Sequence, residues 1–200
     1  MALAWILWCG LHSVLIHPPV EERLTAAFGR RREMYRLLYN LIALLTLVPV
    51  GFFYVAADAT PLFSWPAWLK PLQWLCWCVV AAVTYAAARV YDMSHFLGFR
   101  QLHSTRTNSA AVPESDDAGL VVVGILRFSR HPWYLAGLLL LWSRDLFLRD
   151  LVTNSLLTVY LLVGIILEER KLLRQFGAAY EAYRQQVPML WGIRFWRSRP

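Results

Sequence analysis

Charge is what this sequence has least of. Asp, Glu, Lys and Arg make up 16% of its 200 residues, against about a quarter in a typical soluble domain. That deficit excludes intrinsic disorder and leaves a water-soluble fold with too little polar surface. Cysteine is scarce too. The three present, Cys9, Cys76 and Cys78, all lie in apolar stretches, and an odd number without paired spacing argues against a disulfide framework or a metal site. Cys76 and Cys78 would point about 200° apart on a helix, so they read as small packing residues. The start, MALAWILWCGLHSVLIHPP, has neither the basic leader nor the small-residue cleavage site of a secretory signal. No repeat of fixed period is visible.

What is present is apolar and aromatic: 58% hydrophobic residues, with 10 Trp, 9 Tyr and 10 Phe. The chain reads as an all-α integral membrane protein of about five transmembrane helices. Residues 3–16 form a short first span stopped by Pro18 and Pro19, followed by a basic, partly amphipathic connector. Residues 37–57 are uncharged, enough to cross about 30 Å of hydrocarbon at about 1.5 Å per residue; Pro49 is tolerable there. A Pro- and Trp-rich connector leads to a third span at 71–88. Residues 132–143 make an apolar stretch of only about 18 Å as a helix, too short to cross comfortably. With 151–167 it forms a C-terminal helical hairpin. The second arm continues into EERKLLRQF as a cytoplasmic helical extension, since nothing breaks it before Gly177. Between the third and fourth spans, an interfacial helix (SHFLGFRQLH) precedes a polar stretch suited to a loop. The organisation expected is a single transmembrane domain over 1–200: helices in 1–91, a cytoplasmic loop at 92–130, and the hairpin and tail in 119–190.

A net charge of +7 resembles a nucleic-acid footprint, but the basic residues cluster between apolar runs rather than on one face. No nucleic-acid partner is expected. Assigned to alternate sides of the five spans, all but Lys70, Arg144 and Arg149 of the 20 Lys and Arg fall on one side. The positive-inside rule then puts the long loop and C-terminus in the cytoplasm and the N-terminus outside, as in a bacterial inner membrane.

Two blocks carry the chemistry. In the first, GLVVVGILRFSRHPWYLAG, Arg130 and His131 precede a proline that suits the first helical position. His131 is pushed out of helical geometry by that proline, which exposes a helix N-terminus suited to a carboxylate or phosphate. Tyr134 lies one turn inside. The bland alternative is an anchoring arginine, a turn histidine and an interfacial tyrosine. In the second block, Glu168 and Glu169 stand where the last span leaves the bilayer, and ionisable residues at that depth are functional candidates. They point about 100° apart, so one can face a pocket while the other pairs with an arginine. Tyr180 and Tyr183 share a face and read as packing residues.

R-H-P-W-Y at 130–134, followed by E-E-R-K-L-L-R-Q-F-G-A-A-Y-E-A-Y-R-Q-Q-V-P, resembles the membrane methyltransferases related to isoprenylcysteine carboxyl methyltransferase and phospholipid methyltransferase. L-H-S at 11–13, Y-R-L-L-Y-N at 35–40, F-L-G-F-R-Q at 96–101 and V-P-M-L at 187–190 are similar to the bacterial methanethiol S-methyltransferase branch; L-H-S is also similar to the membrane family NnrU. Ala136 and Leu126 depart from glycine and tyrosine usual in the pattern. The resemblance implies S-adenosyl-L-methionine as cofactor, held by Gly124, His131, Tyr134, Glu168 and Arg170, with Glu168, Glu169 and Arg130 as catalytic candidates. It implies methyl transfer to a small or lipid-like acceptor, a methanethiol-like thiol or an isoprenylcysteine-type carboxylate. A thiol must lose its proton, and His131, Tyr134 or a glutamate could accept it. The alternative is an NnrU-like haem- or redox-associated membrane protein with His12 or His95 as iron ligand. The sequence leaves the acceptor and the oligomeric state open.

Overall fold

The computed structural model describes residues 1–28, 35–91 and 120–190, which form two compact units. The interfacial helix and polar loop expected between 94 and 119 lie outside the described residues, as does His95.

The first unit holds residues 1–61 and 147–156 of the described chain. Helix α1 (Ala2–Leu15) ends just before the Pro18–Pro19 pair, and α2 (Pro18–Phe28) begins on it, because proline lacks the amide that would continue a helix but fits a first turn. Part of the connector is therefore helical. Helix α3 (Tyr35–Val55) runs through Pro49 without a break. It is tied to α1 by the Trp8 indole, which donates to the Ala43 carbonyl at 3.0 Å, and by the Tyr35 hydroxyl on the Leu15 carbonyl. Leu44, Val48 and Phe52, four residues apart, are all more than 60% exposed. An apolar stripe left bare on one helix face is what a lipid-facing surface requires. Asp150 is buried, accepting from the Phe147 amide at 2.9 Å and from the Tyr54 hydroxyl, while the Leu148 amide bonds the Thr60 carbonyl.

The second unit holds residues 62–91, 120–146 and 157–190. Helix α4 (Lys70–Val90) has proline in its first turn and packs on α5 (Pro132–Trp142) through Val83, Leu135 and Ala136. At the other end of that contact, the Gln73 side-chain amide donates to the Ser143 carbonyl at 3.0 Å, and Lys70 approaches Asp145 at 3.6 Å. The helix α6 (Leu148–Gln186) is 39 residues long, with one break at Gly177 (φ 51°, ψ −125°). At about 1.5 Å per residue its straight part, 148–176, is about 43 Å, longer than a bilayer core is thick, so the extension past 167 is real. Two short strands, β1 (Pro61–Phe63) and β2 (Leu146–Phe147), pair in a small sheet that the sequence did not announce.

Among the described residues, three helical stretches are long and apolar enough to cross a membrane: 37–55, 67–90 and α6; the bent pair α1–α2, 66° apart, makes a fourth if it is one span. At 11 residues, about 16 Å, α5 is too short to count. The protein is an all-α integral membrane protein; among the described residues helix length and composition give three or four candidate spans, and a fifth is not established.

Candidate functional site

The site grows from the proline-started end of α5. His131 caps it in a non-helical conformation (φ −126°, ψ 65°) with Pro132 following, since a proline disfavours the helical region for the residue before it. The amides of Arg130 and His131 donate to the carbonyls of Pro188 and Met189, at 3.1 Å each. Those two amides are thus occupied by the chain's own tail. The side chains of Arg130 and His131 at this helix end are met by a carboxylate of the protein itself, Glu169.

Glu169 is buried and is the centre of a polar knot. Its Oε1 accepts from Arg130 Nε, His131 Nε2 and the Tyr180 hydroxyl, each at 2.8 Å. Its Oε2 accepts from Arg130 Nη2 at 3.2 Å and forms an ion pair with Arg184 Nε at 3.1 Å. Arg130 spends its remaining donor on the carbonyls of Arg184 and Val187. Glu168, the next residue, turns the other way: its side chain is 41% exposed, lies 3.6 Å from His131 Nδ1 and is within electrostatic range of Tyr134. Adjacent carboxylates about 100° apart on one helix are thereby divided, one locked among cations and one accessible.

His131 bridges the two. Burial disfavours its charged form, but hydrogen bonds and charges from Glu168 and Glu169 together outweigh burial and hold its pKa above the ordinary value. A folded pKa above the unfolded value near about 6.5 means that the stabilisation is complete below that pH and is lost as pH rises through the folded pKa. Thermal unfolding between pH 6 and 9 in detergent is expected to show a midpoint falling with rising pH, with a shallower slope in His131→Gln.

The other sequence candidates divide. Tyr134 stands edge-on to His131, ring centroids 5.5 Å apart, with its ring against Gly164, where an added Cβ would lie 3.3 Å from the phenol. Gly124 opens a 3₁₀ turn (Gly124–Arg127) after an extended Val123, at φ +53°, and a Cβ there would sit 2.9 Å from a Val90 methyl. It shapes the backbone approach rather than touching the polar knot. Gly124→Ala is expected to lose about 1–2 kcal/mol from the left-handed backbone alone, read as a lower unfolding midpoint. Arg170 is exposed and takes no part in the contacts around Glu169. His12 stacks on Trp8 with centroids 5.1 Å apart and is hydrogen-bonded by Tyr39.

Tyr180 and Arg184 belong to the knot although the sequence marked neither as functional. On an unbroken helix Tyr180 would lie about 16 Å along the axis from Glu169. The Gly177 break folds the tail back and brings its hydroxyl into bonding range. Only that glycine signals the return. Tyr183 is held from the same tail, donating to the Leu126 carbonyl at 2.6 Å.

The sequence profile of the family described as NnrU protein matches residues 1–191. Methanethiol S-methyltransferase 2 of Bradyrhizobium diazoefficiens is 31% identical over 196 residues, 94% of this chain and 70% of that protein. Methanethiol S-methyltransferase of Crocosphaera subtropica is 43% identical over 65 residues, 32% of this chain and 26% of that one. The Pseudomonas deceptionensis methanethiol S-methyltransferase is 30% identical over 123 residues, 61% and 44% of the two chains. No solved structure matches. With the profile covering nearly the whole chain and one relative aligned over 94% of it, this protein belongs to the NnrU family and, with it, to the isoprenylcysteine-methyltransferase-like membrane proteins.

Proposed function

We propose that this membrane protein is a methyltransferase that passes a methyl group from S-adenosyl-L-methionine to a thiol, at the cytoplasmic side of a bacterial inner membrane. The observation that carries this reading is the division of the two carboxylates around His131. Glu169 is consumed in holding Arg130, His131, Tyr180 and Arg184, whereas the Glu168 side chain stays partly exposed near Tyr134.

The residues fit a cationic donor. Tyr91, at the end of α4, lies within range of the Glu168 charge, and the Trp133 ring is 6.2 Å from it. An anion framed by aromatic rings attracts a positive centre by charge and by ring quadrupole. When bound, S-adenosyl-L-methionine supplies an activated methyl group on a sulfonium. The protein's part is then mainly positioning and charge complementarity. The incoming thiol must lose a proton; Glu168 is the partly exposed carboxylate that takes it, since His131 is already biased towards its protonated form. Arg130 and Glu169 act by fixing the His131 ring.

The test is calorimetric titration of the purified protein with S-adenosylhomocysteine, beside His131→Ala and Glu168→Ala. Saturable binding by the wild type and at least tenfold weaker binding by both variants is expected. Equal affinity in all three removes the assignment. A Soret band in the purified protein would overturn the reading in favour of a haem-associated one.

A further inference from the structure

We propose that the apolar cavity beside this site seats the hydrocarbon part of the acceptor, and that the favoured acceptor is a thiol several carbons longer than methanethiol. This rests on the methyl-transfer reading above. The cavity is about 330 Å³. One wall is a single face of α4, made by Val79, Ala82, Val83 and Ala86 at helical spacing; Ile125 and Phe128 stand opposite. The room exists because two of the four α4 positions, one turn apart, are alanine.

Its chemistry selects the ligand. Ser129 is the polar residue in the lining, and its hydroxyl points to the Met189 carbonyl at 3.5 Å. The cavity is open on one side, where Phe128 is largely exposed; water needs two to four polar partners to be held, and an enclosed apolar cavity of about 150 Å³ takes benzene, with its half-dozen heavy atoms. More than twice that space suits roughly a dozen heavy atoms. Methanethiol has only two and would leave most of the cavity empty.

Its position connects it to the reacting end. Ser129 directly precedes Arg130 and His131, and Leu135 of the lining lies one residue beyond Tyr134. Along α4, Tyr91 follows Ala86 by five residues, about 7.5 Å of rise, and it lies within range of the Glu168 charge. A straight-chain thiol with its tail between Ala82 and Phe128 thus has its sulfur directed along α4 towards Tyr91 and Glu168. Each methylene added inside the cavity should improve kcat/KM up to about fourfold until the space is filled.

The experiment measures kcat/KM for straight-chain thiols from methanethiol to decanethiol, with S-adenosyl-L-methionine as donor, in the wild type, Ala86→Phe and the milder Ala86→Val. Calorimetry with decanol, which carries no thiol, is run on the same proteins. A rise with chain length in the wild type is expected, together with an optimum at shorter chains in Ala86→Val. Ala86→Phe should lose at least tenfold more on decanethiol than on methanethiol. A flat chain-length profile in an active wild type, or equal loss on all thiols in the variants, overturns the proposal. Saturable decanol binding that Ala86→Val weakens upholds the cavity even if no thiol is methylated, in which case the methyl-transfer reading alone fails. Absence of decanol binding to the folded wild type overturns the cavity assignment itself.

Discussion

Glu169→Ala is expected to destabilise the protein by about 3–5 kcal/mol, because removing one partner of a buried ion pair leaves the other charges unpaired in a site closed to water. Four side chains lose their common acceptor at once. Arg130, only 9% exposed at its side chain, retains the two carbonyls of the tail but no counter-charge. The Tyr180 hydroxyl and His131 Nε2 lose the same oxygen. Total stabilities of about 5–15 kcal/mol leave little margin for such a loss. The effect is read as the unfolding midpoint in detergent, and Glu169→Gln, which keeps an acceptor oxygen but no charge, should fall between wild type and alanine. A shift below about 1 kcal/mol for Glu169→Ala would mean that the knot is ornamental, since that is the range of an exposed pair.

Glu168→Gln is expected to leave the unfolding midpoint nearly unchanged and to lower thiol methylation by about 10²–10⁴-fold, the range of a lost general base or acid. The contrast with its neighbour follows from surroundings alone. A carboxylate that keeps 41% of its side-chain surface and meets His131 at 3.6 Å contributes little to folding. Its loss should appear in kcat as well as in S-adenosylhomocysteine affinity, because the glutamine retains size and hydrogen bonding but neither the charge nor the proton acceptor. Unchanged turnover with a lowered midpoint would reverse the roles assigned to the two glutamates.

Much of this was legible in the residues. The apolar runs at 37–57 and 71–88 correspond to the helices Tyr35–Val55 and Lys70–Val90, since a run that must satisfy its own backbone in lipid has one economical solution. The His131–Pro132 step fixes where α5 starts for a purely local reason. Gly177 ends the straight part of α6 because no side chain opposes its left-handed backbone. The short strands at 61–63 and 146–147 were not legible, since two or three extended residues carry no period.

The sequence by itself determined that the chain is a membrane protein and which segments are apolar helices, and it singled out Arg130, His131, Glu168 and Glu169 as candidates. These are properties of composition and of nearest neighbours along the chain. Which glutamate is locked and which is open was decided only by the tertiary structure, as was the recruitment of Tyr180 and Arg184 from beyond Gly177. Two adjacent carboxylates are chemically identical in the sequence. Burial and bonding partners brought from distant parts of the chain make them different, and those depend on packing rather than on local order.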